Sequence, residues 1–485
     1  MSTPLSTQSS ACAQPPSLII NRGEMRRAIT AAALGNVVEW YDAAVYLYIA
    51  GTLGQVFFAQ ATKTTQLINA FALFAVAYLA RPLGGIVLGP LADRIGRQKV
   101  LSLTILLMGG ATLGIGLIPL PETIGIFSVI LLLLLRLTQG FSTGGEYSGA
   151  TTFIAEYAPD TRRGFYGAWL EVGTLVGFSL GAGIVAVLMT LLDTHTMQEW
   201  GWRIPFLLAA PLSIVGLYFR KSLEDTPAFR ALEKRETLAG EGTASGQLGR
   251  TFAGQWHQLA KCAGIVITIN VGYYLVLTYL PTYLHVELGY DESTGLSVSF
   301  MIMVGMIFAN PFVGALSDRV GRKTILLAGC FGFFLLSVPS FLMFQAGGVM
   351  LVCGVFLLSA TFVCFTAVVP STLPALFSTE VRNGSLAISY NFAVSLFGGT
   401  TPLIVTSLIA ATGNKLMPAY WMMLAAVVGG LAVWKIRESA GQPLPSSPAL
   451  VSTTQPAKVS DLALREQAGD HRRGAVAPVA IERNS

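Results

Sequence analysis

Three observations predict an all-α membrane protein with twelve transmembrane helices in two six-helix halves. Charged residues make up 12% of the chain against 53% hydrophobic, and the mean hydropathy is +0.61, whereas a soluble globular domain carries about 25% charge. Apolar runs long enough to cross a hydrocarbon layer of roughly 30 Å recur throughout. A polar stretch also occurs twice: Gly89 to Lys99 reads GPLADRIGRQK and, 225 residues later, Gly314 to Thr324 reads GALSDRVGRKT, with six of eleven positions identical. Each copy lies between two apolar runs, as expected of two parallel structural repeats rather than a solenoid.

The elements follow in order. Residues 1–24 form a polar N-terminal tail without the basic segment and short apolar core of a cleaved signal. Helices are predicted at 28–58, 68–91, 98–118, 124–150, 164–190 and 203–220, filling a first half over 25–220. Residues 221–259 are the longest polar interval between apolar runs and read as a cytoplasmic linker. Helices at 260–284, 294–317, 322–343, 349–372, 384–410 and 416–436 fill a second half over 260–437. From 438 to 485 the chain is rich in Pro, Ser and Thr. That composition buries no core, so a disordered cytoplasmic tail is expected, and it holds no sustained heptads for a coiled coil.

Orientation follows from the basic residues. With the N-terminus inside, all but five of the 31 lysines and arginines fall on the cytoplasmic side; Lys63, Arg203 and Lys415 fall outside, and Arg81 and Arg136 lie within helices. A multi-pass protein of the plasma membrane, a bacterial inner membrane, with both termini cytoplasmic is expected. The net charge of +5 then needs no nucleic acid to explain it. Five cysteines without metal spacing and four scattered histidines give no metal, cofactor or catalytic cluster, so neither an enzyme nor a cofactor is expected. The partners expected are a small-molecule substrate, protons and the lipid bilayer, with the chain monomeric.

Ionisable residues inside the membrane are costly and mark function or pairing. In GNVVEWYDAAVY, Glu39 and Asp42 stand at i and i+3, on one helix face. Two carboxylates so close compete for ionisation, so one of them can take up and release a proton; alternatively, each is neutralised by a fixed arginine. The fourth helix carries Arg136, Gln139 and Glu146, and the fifth carries Glu171. Glu39, Asp42, Glu146 and Glu171 are the candidates for proton coupling. Arg136 is read either as counter-ion to Glu39 or Asp42 or, with Gln139, as the clamp for a substrate carboxylate. In the second half, Asn270, Tyr273 and Tyr274 on the seventh helix and Asn391 on the eleventh offer a polar, aromatic wall that suits a small zwitterion or quaternary amine. Trp40 and Tyr41 can add to it, as can Tyr46 and Trp169. Gly173, Gly177 and Gly181 read as a helix-packing stripe, and Gly144 with Gly145 as room for a ligand.

The pattern G-x-L-x-D-R-x-G-R-x-K resembles the signature loop of the major facilitator superfamily. ARPLGGIVLGPLADRIGRQK, LTQGFSTGGEYSGATTFIAEY and WGWRIPF are similar to its metabolite:proton symporter branch. NVGYYLVLTYLPTYL, STLPALF and LMPAYWMM resemble the members that carry proline and glycine betaine, and the likeness runs from about residue 25 to 437. The resemblance implies a cytoplasmic gate formed by Asp93, Arg94 and Arg97, with Glu156 as acidic partner and with Asp318 and Arg322 as the weaker counterpart in the other half. It implies proton-coupled uptake of a small zwitterionic compatible solute such as proline or glycine betaine, by alternating access. Proton symport of a carboxylate such as oxoglutarate, citrate or shikimate is the alternative, and a non-transporting membrane sensor is the third reading. Two features depart from the pattern. The tail lacks the long coiled coil of osmosensing members, and EWYDAAVY has Ala43 where the commoner EWFDF has an aromatic.

Overall fold

The computed structural model describes residues 18–95, 97–221, 245–379, 381–446 and 450–453. The side chains of residues 89–90 and 92–99 lie outside the described set, and Asp93, Arg94 and Arg97 with them. In the first half, α1 (Arg22–Tyr48) continues after a break at Ile49 as Ala50–Phe57, followed by α2 (Lys63–Ile95) and α3 (Arg97–Gly116). α4 (Phe127–Ser142) passes through a tight turn over Thr143–Gly145 into Glu146–Tyr157, and α5 (Arg163–Leu191) and α6 (Arg203–Lys221) complete the half. In the second half, α7 (Ser245–Gly272) continues as a π-helical stretch over Tyr273–Tyr279 and then as Leu280–Val286. α8 (Glu292–Val320), α9 (Arg322–Ala346) and α10 (Gly348–Thr366) come next. α11 (Arg382–Ala393) also carries a π turn, over Val394–Gly398, before Thr401–Thr412, and α12 is Met417–Trp434.

Among the described residues, nine helices are long and apolar enough to cross a membrane, or ten if the bent pair ending in α6 is one span. α1 bears Glu39 and Asp42 in its middle, and the apolar part of α3 is short, Ser102–Gly116; these two complete the twelve by their place in the fold. Burial distinguishes the roles of the spans. The apolar window of α7 is 89% buried and that of α8 only 28%, so α7 is an inner wall and α8 faces outward over most of its surface. The glycine stripe of α5 packs as expected: a Cβ on Gly177 would lie 2.6 Å from the Val37 carbonyl oxygen of α1, so only hydrogen allows the two backbones to approach.

The halves are bridged at three depths. At the end that carries the repeated loops, Arg382 donates to Glu156 at 2.8 Å. In the middle, Asn391 donates to the Gly144 carbonyl and Tyr273 to Glu171. At the far end, the Tyr48 hydroxyl donates to the Leu277 carbonyl at 2.7 Å.

Two parts of the sequence-based organisation are corrected. α7 begins at Ser245, inside the stretch expected to be linker, because a helix can run out of the bilayer into polar sequence. The chain after Arg437, expected to leave the bundle, stays on it as far as Ser446. Glu438 accepts from the Arg322 and Lys323 amides at 3.0 and 3.1 Å. The Ser439, Gln442 and Pro445 carbonyls accept from the buried Arg322, Arg163 and Arg382. Low hydrophobicity foretells no core, but here backbone carbonyls satisfy buried guanidinium groups. Further on, β2 (Leu450–Thr453) pairs in parallel with β1 (Leu18–Asn21), bringing residues before α1 beside residues after α12. The rest of the tail lies outside the described residues.

Candidate functional site

A polar cavity of about 30 Å³ is lined by α1, α2 and α4 through Glu39, Asp42, Tyr78, Arg81, Arg136 and Gln139, among others. That is room for one or two waters, too little for a solute of proline's size, so the site is contracted here.

The i, i+3 spacing does bring Glu39 and Asp42 to one cavity, where each has partners of its own. Glu39 accepts from Arg81 Nη2 at 2.9 Å, in an ion pair with both side chains 3–4% exposed. Asp42 accepts from Gln139 Nε2, at 2.9 Å to each carboxylate oxygen, and from the Thr112 hydroxyl. Gln139 in turn accepts from Arg136 Nη1 at 2.8 Å. The amide therefore stands between cation and carboxylate, accepting from one and donating to the other. Arg136 also lies over the Tyr46 ring at 4.0 Å and the Phe74 ring at 5.0 Å, where ring faces replace part of its lost hydration. Arg136 thus reaches Asp42, one of the two partners considered for it, through Gln139. Arg81, a second intramembrane arginine given no role from sequence, neutralises Glu39.

Glu171 lies in a separate cluster. Fully buried on α5, it accepts from Tyr147 Oη at 2.7 Å and from Tyr273 Oη. Tyr273 stacks on Trp40 at 5.6 Å, and Tyr147 on Tyr390 at 4.2 Å. Tyr274 meets Phe74 and Tyr78 edge-on. Tyr147 and Tyr390 carry no sequence signal, since aromatic residues at helical spacing are ordinary in membrane spans.

Other candidates are placed elsewhere. Glu146 accepts from Thr104 of α3 at 2.6 Å, away from the cavity lining. Tyr41 donates to the Pro205 carbonyl at 2.7 Å and so ties α1 to α6. The Asn270 amide is bonded to Val266 of its own helix. Asn391 joins α11 to the Gly144 carbonyl, and Gly144 is pressed against the α2 backbone, whereas a Cβ on Gly145 would meet nothing within 4 Å, so of this pair Gly144 serves packing and Gly145 leaves space. Trp169 is 39% exposed beside Phe165, on the outside of the bundle.

At the loop end, Asp318 accepts from the Gly164 and Phe165 amides at 2.8 and 2.9 Å and from Arg322 at 3.2 Å. An acid from the second half thus binds the first free N–H groups of a helix of the first half, satisfying orphan donors and meeting the positive end of the helix dipole.

The model of the Major Facilitator Superfamily matches residues 32–402. The chain is 44% identical over 445 residues to the proline/betaine transporter of Escherichia coli K12, covering 91% of this chain and 89% of that one. It is 46% identical to the glycine betaine/proline/ectoine/pipecolic acid transporter OusA of Dickeya dadantii, with the same coverage of each, and 41% identical to the ectoine/proline transporter ProP of Corynebacterium glutamicum, covering 89% and 87%. Its fold superposes on the proton:xylose symporter XylE with a TM-score of 0.72 at 20% identity, covering 88% of this chain and 98% of that one. A match over most of the chain, relatives above 40% identity and twelve helices in two halves agree: this chain is a member of the major facilitator superfamily, a membrane transporter.

Proposed function

We propose that the protein takes up a small zwitterionic compatible solute such as proline or glycine betaine together with protons, by alternating access across the bacterial inner membrane. The termini and repeated loops face the cytoplasm, and a single copy of the chain is the transporting unit. The observation that carries this reading is the chain Arg136–Gln139–Asp42, supported by relatives named for these solutes.

In the contracted state Asp42 is an acceptor-only carboxylate that holds Gln139, and Gln139 holds Arg136. A proton reaching Asp42 converts one of its oxygens into a donor and weakens its hold on the Gln139 amide. Arg136 is then free to engage a solute carboxylate in a bidentate contact. Proton and solute therefore favour the same rearrangement, which is all that coupling requires. The Glu39–Arg81 pair takes the other role weighed from sequence, a fixed neutral joint between α1 and α2.

The test is transport by the purified protein in lipid vesicles. Labelled proline should exchange against internal proline or betaine without a pH gradient, and accumulate only when the outside is acid. Competition by oxoglutarate, citrate or shikimate but not by betaine would replace this reading with carboxylate symport. Binding without flux would make the protein a sensor.

A further inference from the structure

Glu171 takes no part in the bonds around Asp42. It is fully buried, and among the described residues its oxygens accept hydroxyl hydrogen bonds alone, from Tyr147, Tyr273 and Thr174. Among the described residues it forms no salt bridge. A carboxyl buried without a cation costs several kcal/mol to ionise, a cost that a cation arriving beside it offsets.

The surroundings suit such a cation. Trp40, Tyr273 and Phe178 lie with ring centroids 5.3–6.1 Å apart, and Tyr147, the second phenol bonded to Glu171, stacks on Tyr390. Tyr147 belongs to the first half, and Tyr273 and Tyr390 to the second, so the carboxyl sits on the seam through which an alternating-access transporter passes its solute. A carboxylate beside aromatic rings attracts an ammonium group through its charge, and a ring face turned to that ammonium adds to the attraction. Trp40 lines the polar cavity and also stacks on Tyr273, which makes the two compartments neighbours.

We propose that Glu171 and its aromatic box bind the positive nitrogen of the solute, while the solute carboxylate faces the arginine side of the cavity. In the contracted state the hydroxyls of Tyr147 and Tyr273 occupy the place of the ammonium. The proposal rests on the zwitterion reading above and gives Glu171 a different task from the proton coupling expected of it from sequence.

The test is exchange of labelled proline in vesicles without a pH gradient, with two competitors: glycine betaine, and tetrahydrofuran-2-carboxylate, which keeps proline's ring and carboxylate but replaces the nitrogen by oxygen. Wild type should be inhibited by betaine and ignore the oxygen analogue. Glu171→Gln should raise the KM for proline at least about thirtyfold, the lower range for removing one member of a buried charge pair, and should narrow or invert the preference over the oxygen analogue. Tyr273→Phe keeps the carboxylate and removes a hydroxyl that competes with the solute, so it should bind proline as tightly as wild type or more so; a large rise in its KM would overturn the proposal even if Glu171→Gln did not fold. Unchanged KM in Glu171→Gln with loss only of proton-driven accumulation would make Glu171 a proton carrier and end the proposal alone. A wild type that exchanges dicarboxylates and not proline would end the functional reading and this inference with it.

Discussion

Both halves carry a copy of one repeat, and both bury charge at the loop end, where Glu156, Asp160 and Arg163 belong to the first half. Yet among the described residues only the first half also buries charge in the middle of the bundle. In the first half, Glu39, Asp42, Arg81, Arg136 and Glu171 are buried along the middle of α1, α2, α4 and α5. In the second half, the buried charges Arg322 and Arg382 and the carboxylate of Asp318 gather at the loop end, and the interior holds tyrosines, asparagines and hydroxyls. Charge in the middle can change partner during a cycle, and charge at the end can fasten one half to the other. The first half therefore holds the charges that the proposed coupling uses, the second supplies an uncharged wall, and the two share the clasp at the loop end.

The comparison can be broken at its strongest point with Asp42→Asn. It keeps the shape and the contact with Gln139 but cannot carry a proton, so uphill accumulation of proline should be abolished while exchange persists. Full accumulation by this variant would remove the first half's claim to coupling. Next in size is Arg382→Ala, which removes the buried ion pair with Glu156 and frees the Pro374, Phe377 and Pro445 carbonyls. A loss of about 3 kcal/mol is expected, read as a lower Tm, with exchange of every solute slowed alike. Altered selectivity would show that the clasp also chooses the solute.

Gly314→Ala sharpens the contrast between the two copies of the repeat. A Cβ there would lie 2.7 Å from the Gly164 carbonyl oxygen, so α5 and α8 must move apart, at a cost of about 1–3 kcal/mol. An unchanged Tm would mean that the repeated glycine is not required by this crossing.

The smallest effect is at Glu438. Burial alone would raise its pKa, but hydrogen bonds from the Ala440, Arg322, Lys323 and Ser439 amides outweigh it, so the carboxyl titrates below its ordinary value. A depressed pKa gives stability that is present above the unfolded value of about 4.3 and is lost as pH falls through the folded value. Glu438→Gln should cost about 1 kcal/mol or less, as for loss of a helix cap, and the difference in Tm from wild type should shrink as the pH is lowered below about 4.3. A pH-independent difference would place the effect in packing.

Much of the fold was legible because its causes are local. Apolar runs, basic loops and the repeat are properties of short stretches, and they placed twelve helices and two halves. α7 and the residues after Arg437 were misjudged where tertiary contacts override composition: a polar segment is held to the bundle when its carbonyls meet buried arginines, and no feature of the segment itself reports that. Asp42, Arg136 and Gln139, which the structure brings together, stood out as candidates because intramembrane polarity is rare and visible. Arg81 carried the same signal and was passed over, while Tyr147 and Tyr390 carried none.

The sequence alone determined that this is a two-fold repeated membrane transporter with its charged chemistry in the first half, because hydrophobicity and charge act on each segment independently of where the others lie. Only the tertiary structure decided the pairings: Glu39 with Arg81, Asp42 with Arg136 through Gln139, Glu171 with tyrosines of both halves, and Glu156 with Arg382. Helical periodicity fixes which residues share a face of one helix. Which face of another helix meets it, across 42 residues for Glu39 and Arg81 or 226 for Glu156 and Arg382, is set by how the whole bundle packs.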